Sequence, residues 1–177
     1  MNEMDNSDKE IVSGKKGILS LPGFPIVIGC IGKNLITLAA ISMVSFDNPP
    51  LIMIGIVPQR YSFELIKEVK DYSINIPTTE LIDDVKHIGK ISGRDVEDKF
   101  KATGLTPVKA SKISSYLIKE CPVNLECKVV HTLDLGGTHT WFVGEVVTTH
   151  LTKDYDRSKA FMFWPGQFRY VGDVIET

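Results

Sequence analysis

The chain has 177 residues, which fits one domain with a core of ordinary size. Apolar residues make up 43% and charged residues 24%, as in soluble globular proteins. The formal net charge of −2 gives a nucleic-acid partner no global electrostatic support, which leaves only a local basic cluster as a means of binding one. No window approaches the ~18 uninterrupted apolar residues of a membrane helix, so no membrane span is predicted.

The chain opens with a polar segment that lacks the apolar centre of a signal peptide. Residues 1–15 are therefore predicted to be a disordered tail, and residues 16–177 a single domain. The cysteines, Cys30, Cys121 and Cys127, are too few for a disulfide framework. They predict buried free thiols in a reducing, cytoplasmic compartment.

Apolar runs between turns then predict short strands and a few helices. Periodicity and turn residues favour helices at 62–70, 78–89 and 96–102, and strands at 26–31, 35–46, 51–57, 72–76, 123–129, 140–151 and 168–175. The run 35–46 pairs with 51–57 across Asn48-Pro49-Pro50, and Gly136-Gly137 makes a second hairpin turn. This order predicts a mainly β protein with short helices, as an antiparallel barrel.

Three constellations could bind a ligand. The run at 35–46 contains small residues and hydroxyls that could face a flat ligand, namely Thr37, Ala39, Ala40 and Ser42. The alternative is an ordinary strand that tolerates these hydroxyls. Arg60 and Ser62 open a helix, where free N–H groups and a positive dipole favour a phosphate; the alternative is a surface arginine beside an ordinary cap. Ser92-Gly93-Arg94-Asp95 with Lys99 could close the pocket or form a solvated loop and helix face.

His139 follows the Gly136-Gly137 turn, where it could face a ligand. The histidines and cysteines have no metal-ligand spacing, so no metal site is predicted. The sequence also lacks a Gly-x-Ser-x-Gly elbow, a P-loop and a Gly-x-Gly-x-x-Gly motif, which leaves hydrolase and classical nucleotide folds without support.

Taken in order, these segments resemble the flavin reductase-like family, the FMN-binding split-barrel proteins that include flavoredoxin. The resemblance covers roughly residues 23–175. It rests on Asn34-Leu-Ile-Thr-Leu-Ala-Ala40, Ser45-Phe-Asp-Asn-Pro-Pro50, Pro58-Gln-Arg-Tyr-Ser-Phe-Glu-Leu-Ile66, Tyr72-Ser-Ile-Asn-Ile-Pro77, Ser92-Gly-Arg-Asp95 with Lys99-Phe100, Cys121-Pro-Val-Asn-Leu-Glu-Cys127 and His139-Thr-Trp-Phe-Val-Gly-Glu145. Each piece is unspecific alone, but their order makes chance an unlikely explanation.

The resemblance implies a six-stranded antiparallel Greek-key split barrel, a homodimer, and FMN near the subunit interface. It places the isoalloxazine ring along the strand around residues 37–42 and the phosphate at the Arg60 corner. The cofactor-binding residues it implies are Thr37, Leu38, Ala39, Ala40, Ser42, Arg60, Tyr61, Ser62, Asn75, Ser92, Gly93, Lys99 and His139. No catalytic acid or base is assigned, because the cofactor supplies the chemistry.

The leading functional hypothesis is an FMN-dependent oxidoreductase that takes electrons from NAD(P)H and passes them to a flavin, ferric or protein acceptor. The second is an electron carrier of the flavoredoxin type, with tightly bound FMN and no direct reaction with NAD(P)H. The third, from another class, is a β-barrel binding module without a redox role. The sequence leaves FAD possible, although the short phosphate corner favours FMN.

Overall fold

A computed structural model describes residues 10–175, and the predicted tail lies outside this range for residues 1–9. The four α-helices are α1 (Gly14–Ile18), α2 (Tyr61–Val69), α3 (Ile82–Lys90) and α4 (Lys99–Thr103). The strands are β1 (Phe24–Pro25), β2 (Val27–Ile31), β3 (Asn34–Leu38), β4 (Ile41–Ser45), β5 (Leu51–Ile56), β6 (Asp71–Ile76), β7 (Pro107–Lys109), β8 (Tyr116–Ile118), β9 (Val123–Asp134), β10 (Thr140–Leu151), β11 (Phe161–Trp164) and β12 (Gln167–Tyr170). Short 3₁₀ turns lie at Thr79–Leu81 and Arg157–Lys159.

Seven strands form the main sheet in the order β3-β2-β6-β9-β10-β5-β4, with every neighbouring pair antiparallel. The two edge strands, β3 and β4, are joined by Ala39 and Ala40 alone. Such a linker spans at most about 11 Å between the strand ends, so the sheet must curl until its edges meet. The main-chain N–H of Gly55 donates to the carbonyl of Ala40 at 2.7 Å on one side of this seam. The predicted antiparallel split barrel is confirmed, with seven strands in its main sheet instead of six.

The predicted run at 35–46 is two strands, β3 and β4, separated at Ala39 and Ala40 and placed at opposite edges of the sheet. Apolar periodicity could not reveal this change of partner, because both strands are apolar. The two predicted hairpins are confirmed: β4 pairs with β5, and β9 pairs with β10. The last strand is shorter than the predicted 168–175 and ends at Tyr170.

Helix boundaries follow from their caps. Lys70, in the left-handed region, ends α2 near the predicted position. The predicted helix at 96–102 is shifted: Asp98, not Asp95, caps α4 by accepting from the N–H groups of Phe100 and Lys101, and Gly104 ends it with φ 76°.

Two hydrophobic clusters share β2, which is buried along its whole length. Val27 and Ile31 pack in one cluster with Ile66 of α2, and Ile28 and Cys30 pack in the other with Val85 of α3. Alternate residues of β2 thus hold α2 and α3 on the sheet, and these helices border the candidate site. The three cysteines are buried and free, as predicted. No helix within residues 10–175 combines the length and the apolar character that a membrane crossing requires.

Candidate functional site

A cleft of about 240 Å³ opens where the two ends of the sheet meet. One wall comes from β3 and the other from the end of β5, and the N-terminus of α2, the end of α3 and the loop at 91–93 close its sides. Because β3 and β5 lie near opposite ends of the strand order, the curl of the sheet creates this cleft. It is lined by Asn34, Ile36, Thr37, Leu38, Gly55, Ile56, Val57, Arg60, Tyr61, Ser62, Ile88, Gly89, Ile91, Ser92, Gly93, Lys99 and His139.

The cleft brings together nine of the thirteen predicted site residues: Thr37, Leu38, Arg60, Tyr61, Ser62, Ser92, Gly93, Lys99 and His139. They come from three segments of the sequence and the tip of a distant hairpin. Their role in binding a cofactor stays a prediction, because proximity alone does not identify a ligand.

Four predicted residues do not line the cleft. Ala39 and Ala40 form the linker beside it, and the Ala40 side chain packs against Gly55, where an added Cβ would approach it to 3.0 Å. Ser42 is exposed on β4, and its hydroxyl donates to the Met43 carbonyl at 3.2 Å. Asn75 is fully buried on β6 and makes only internal hydrogen bonds. The family resemblance implied that Asn75 lies in the pocket, but its amide is fully used in hydrogen bonds inside the protein.

The start of α2 forms a cationic corner of the cleft. Arg60 is the N-cap residue, with extended backbone angles and no capping bond from its side chain. The N–H of Phe63 donates to the Arg60 carbonyl at 2.9 Å, so Tyr61 and Ser62 are the first-turn residues whose N–H groups can donate to an anion. Ser62 is buried in the first turn of α2 and lines the cleft. The corner therefore combines a guanidinium, a hydroxyl and a helix N-terminus.

Lys99 contributes a second, buried cation. Its ammonium donates to the Leu35 carbonyl of β3 at 2.8 Å and contacts the Ile88 carbonyl of α3 at 3.5 Å. Burial, with a smaller contribution from Arg60, lowers the pKa of Lys99 to about 8. Among the described residues, no aspartate or glutamate lines the cleft, so its charged lining is positive.

Two hydroxyls at the cleft are already engaged in the protein. Thr37 donates to the Val85 carbonyl of α3 at 2.7 Å, and Ser92 accepts from the N–H of Arg94 at 3.1 Å. Each keeps lone pairs that can accept further hydrogen bonds. Arg94 itself lies outside the cleft, where it contacts Glu64 and donates to the Gln59 carbonyl at 3.2 Å. These bonds hold the loop of Ser92 against the start of α2.

Asn34 is the site residue that sequence reasoning missed. Its side-chain oxygen Oδ1 is buried at the cleft and has no hydrogen-bond partner among the described residues. A buried acceptor without a donor is costly, and such groups often await a ligand. A Cβ at Gly93 would collide with this oxygen and with the Tyr61 ring, so only glycine permits the close approach. In the sequence, Asn34 is a polar residue in the turn before a strand, and nothing in that position indicates a ligand-binding role.

The lining fits a flavin nucleotide. Apolar strand residues offer flat walls, the Arg60 corner suits a phosphate, and the lone acceptor of Asn34 can take one of the N–H or O–H donors that a flavin carries. Gly89 has no side chain, and an added Cβ would meet nothing closer than 3.6 Å, so this side of the cleft is open.

The fold and this cleft define a split-barrel protein with a cationic cleft at the barrel seam. The family model described as "Flavin reductase like domain" matches residues 19–172, and the chain belongs to that family. An uncharacterized protein of Archaeoglobus fulgidus is 37% identical over 143 residues, which is 81% of this chain and 78% of the relative.

Solved structures of the same architecture carry different functions in their names. The flavoredoxin of Methanosarcina acetivorans is 26% identical with a TM-score of 0.83, covering 96% of this chain and 94% of its own. The NADH:FAD oxidoreductase of Streptomyces globisporus C-1027 is 20% identical with a TM-score of 0.79, covering 93% and 99%. At that identity the second likeness shows the fold alone.

Proposed function

We propose that the protein is an FMN-binding oxidoreductase that passes electrons from NAD(P)H through FMN to a flavin, ferric or protein acceptor in the cytoplasm. The observation that carries this proposal is the cleft, whose charged lining is positive while its strand walls are apolar. A phosphate-bearing flat ring system is the class of ligand that uses both properties. Free, buried cysteines accord with a reducing compartment.

Each wall of the cleft then has a task. Arg60, Ser62 and the first-turn N–H groups of α2 hold the phosphate, while the strand at Thr37 and Leu38 lies along the ring. Asn34 accepts a hydrogen bond from a flavin N–H or hydroxyl. When bound, FMN supplies the electron-transfer chemistry, so the protein has to bind, orient and shield it, and we assign no catalytic acid or base.

Anaerobic reduction tests the proposal directly. The purified protein, loaded with FMN and mixed with NADH or NADPH, should lose the flavin absorbance near 450 nm. A control with free FMN at the same concentration measures the uncatalysed reaction. Reduction no faster than in this control would exclude a direct NAD(P)H reaction.

A second candidate is an electron carrier of the flavoredoxin type, favoured by the greater likeness to flavoredoxin in both identity and TM-score. It predicts tightly bound FMN that NAD(P)H leaves oxidised and that a reduced redox protein bleaches. A binding module without a redox role predicts colourless protein that takes up no added FMN. The same preparations, offered FAD in parallel, determine whether the cleft prefers FMN.

Arg60→Ala should weaken FMN binding. Loss of a charge-assisted contact costs about 1.5–3 kcal/mol, or roughly ten- to a hundredfold in Kd. Fluorescence quenching of FMN measures the Kd. Lys67→Ala removes the same charge from the last turn of the same helix, where Lys67 lies outside the cleft, and should leave the Kd within about twofold. Equal losses in both variants would mean that the phosphate lies elsewhere.

We further propose a homodimer with the cleft near its interface. Met43, Val44 and Phe46 are exposed on and after the edge strand β4, with Phe46 84% exposed. Met43 and Phe46 line an apolar groove whose other lining residues come from β5, β9 and β10, and large exposed apolar patches mark association sites. Because the Ala39–Ala40 linker leads from the cleft into β4, a partner on this face lies beside the cleft.

Light scattering coupled to size exclusion should give about twice the chain mass of 19.7 kDa. Phe46→Glu places a charge in the proposed interface and should yield a folded monomer. Ile11→Glu, at a fully exposed position that does not line this groove, is the matched control and should leave the dimer intact. A monomeric unmodified protein at micromolar concentration would contradict the proposal.

A further inference from the structure

Lys99 is a buried cation without a counter-ion among the described residues. Lys99 is only 6% exposed, and its hydrogen-bond acceptors are two neutral main-chain carbonyls, those of Leu35 and Ile88. No carboxylate oxygen of residues 10–175 lies within ion-pair distance of its ammonium. A buried charge in such surroundings favours its neutral form unless an opposite charge arrives.

Lys99 faces basic side chains and main-chain carbonyls from the elements around it. From α2 comes Arg60, a like charge that acts on it across the cleft, and from the hairpin before β10 comes His139. β3 and α3 present carbonyls. The exposed Lys33, from the turn between β2 and β3, lies with its ammonium 5.1 Å from the Tyr116 ring centroid.

Two acidic residues, Glu97 and Asp98, share a smaller neighbouring cavity with Lys99, but neither neutralises it. One carboxylate oxygen of Asp98 accepts from the N–H of Phe100 at 2.8 Å and from that of Lys101 at 3.2 Å, so it caps α4. Glu97 is exposed. The burial of Lys99 and the repulsion from Arg60 therefore lower its pKa without a compensating carboxylate.

We propose that an anionic ligand in the cleft supplies this missing counter-ion, so that FMN binding is coupled to uptake of one proton by the neutral amine of Lys99. This inference rests on the proposed function for its ligand. The proton comes from solvent and converts the amine to an ammonium, with no other bond made or broken. Lys99 attracts the phosphate only when it is protonated, so its contribution to binding depends on pH.

The coupling has a definite pH window. In the ligand-free protein Lys99 is charged below a pKa of about 8 and neutral above it. A bound anion raises that pKa, so affinity is constant at neutral pH and falls as pH rises above 8. For a pKa near 8, the FMN Kd should be roughly tenfold higher at pH 9 than at pH 7.

Calorimetry in two buffers of different ionisation enthalpy measures the proton directly. At pH 8.5 FMN binding should take up about three quarters of a proton, and at pH 7 about a tenth. Lys99→Arg keeps the charge at every pH, so it should bind FMN with no uptake and a flat pH profile. No uptake in the unmodified protein, or the same uptake in Lys99→Arg, would overturn the inference.

Carbon-13 NMR of labelled lysine ε-carbons tests the coupling even if the protein does not bind FMN. The Lys99 resonance should titrate near pH 8 in the ligand-free protein and above pH 9 with FMN. If FMN does not bind at pH 7, the proposed function fails, and inorganic phosphate becomes the probe. A Lys99 titration near the ordinary ~10.4, or one that neither anion raises, contradicts the coupling.

Discussion

Asn75→Ala should destabilise the protein by about 3 kcal/mol or more and leave the FMN affinity of the folded protein within about threefold. Asn75 is 0% exposed, and its amide uses all its hydrogen-bonding capacity. Its NH₂ donates to the Ile28 carbonyl at 3.0 Å and to the Ser73 hydroxyl at 2.9 Å. Its oxygen accepts from the N–H of Ile118 at 3.1 Å and from the Asn124 amide at 2.8 Å.

Alanine removes all four bonds at once and leaves buried donors and acceptors without partners, each of which costs about 1–3 kcal/mol. Asn124→Ala is the matched comparison in the same network. Asn124 is only partly buried and donates two hydrogen bonds, one to Asn75 and one to the Ile118 carbonyl, so its replacement should cost less stability. Urea unfolding measures both free energies. If the Asn75→Ala protein were as stable as the unmodified protein and bound FMN tenfold more weakly, Asn75 would have to contact the ligand.

Asn75 also shows what a sequence can and cannot place. The strand 72–76 was predicted from its apolar pattern, and β6 occupies Asp71–Ile76. Whether a polar residue in that strand faces a cleft or a neighbouring strand depends on β8, which contributes the N–H of Ile118 from 43 residues away. Periodicity carries no information about such a partner.

The strand boundary at the barrel seam is a feature of the fold that the sequence pattern also could not predict. Apolar patterns and turn residues predicted both hairpins, but they ran β3 and β4 together as one strand. The division at Ala39 and Ala40 is set by the curl of the whole sheet. Because the cleft forms there, the topology brings Asn34, Gly55 and Gly89 into its lining, and none of these three was predicted as a site residue.

Glu126 shows why alternating apolar and polar residues do not always predict which side of a strand is exposed to solvent. In the predicted strand at 123–129, the polar residues Asn124, Glu126 and Lys128 alternate with apolar ones, which predicts that they face solvent. Glu126 is nevertheless 0% exposed. Residues 111 and 112 cover it: its carboxylate accepts from the N–H of Ser111 at 2.9 Å and from that of Lys112 at 2.6 Å. Sequence alternation assumes solvent on one face of a strand, and here a loop occupies that face.

This loop connects Glu126 to the cleft. The neighbouring strand supplies Asp71, whose carboxylate accepts from the N–H of Ser115 at 3.0 Å. The Ser115 hydroxyl accepts from the N–H of Gly32 at 2.9 Å, and the N–H of Tyr116 donates to the Gly32 carbonyl at 2.9 Å. Gly32 forms the turn that leads into β3, where Asn34 reaches the cleft. Two buried carboxylates thus fix a loop that fixes one wall of the site.

Glu126→Gln should therefore cost about 3 kcal/mol of unfolding free energy at pH 7. Burial alone would raise the pKa of Glu126, but hydrogen bonds from Ser111, His150 and Lys112 outweigh it and hold the pKa at about 2. Its ordinary value is 4.5. The charged form is thus favoured in the folded state, so this stability is present above pH 4.5 and is lost as pH falls toward 2.

The stability difference between the unmodified protein and Glu126→Gln should shrink to about half at pH 3, because glutamine does not titrate. Urea unfolding at pH 7 and pH 3 measures it, and the exposed Glu68→Gln should stay within about 0.5 kcal/mol of the unmodified protein at both. A pH-independent difference would mean that shape, and not charge, fixes the loop. Since the loop positions the turn before Asn34, Glu126→Gln should also weaken FMN binding while the protein remains folded.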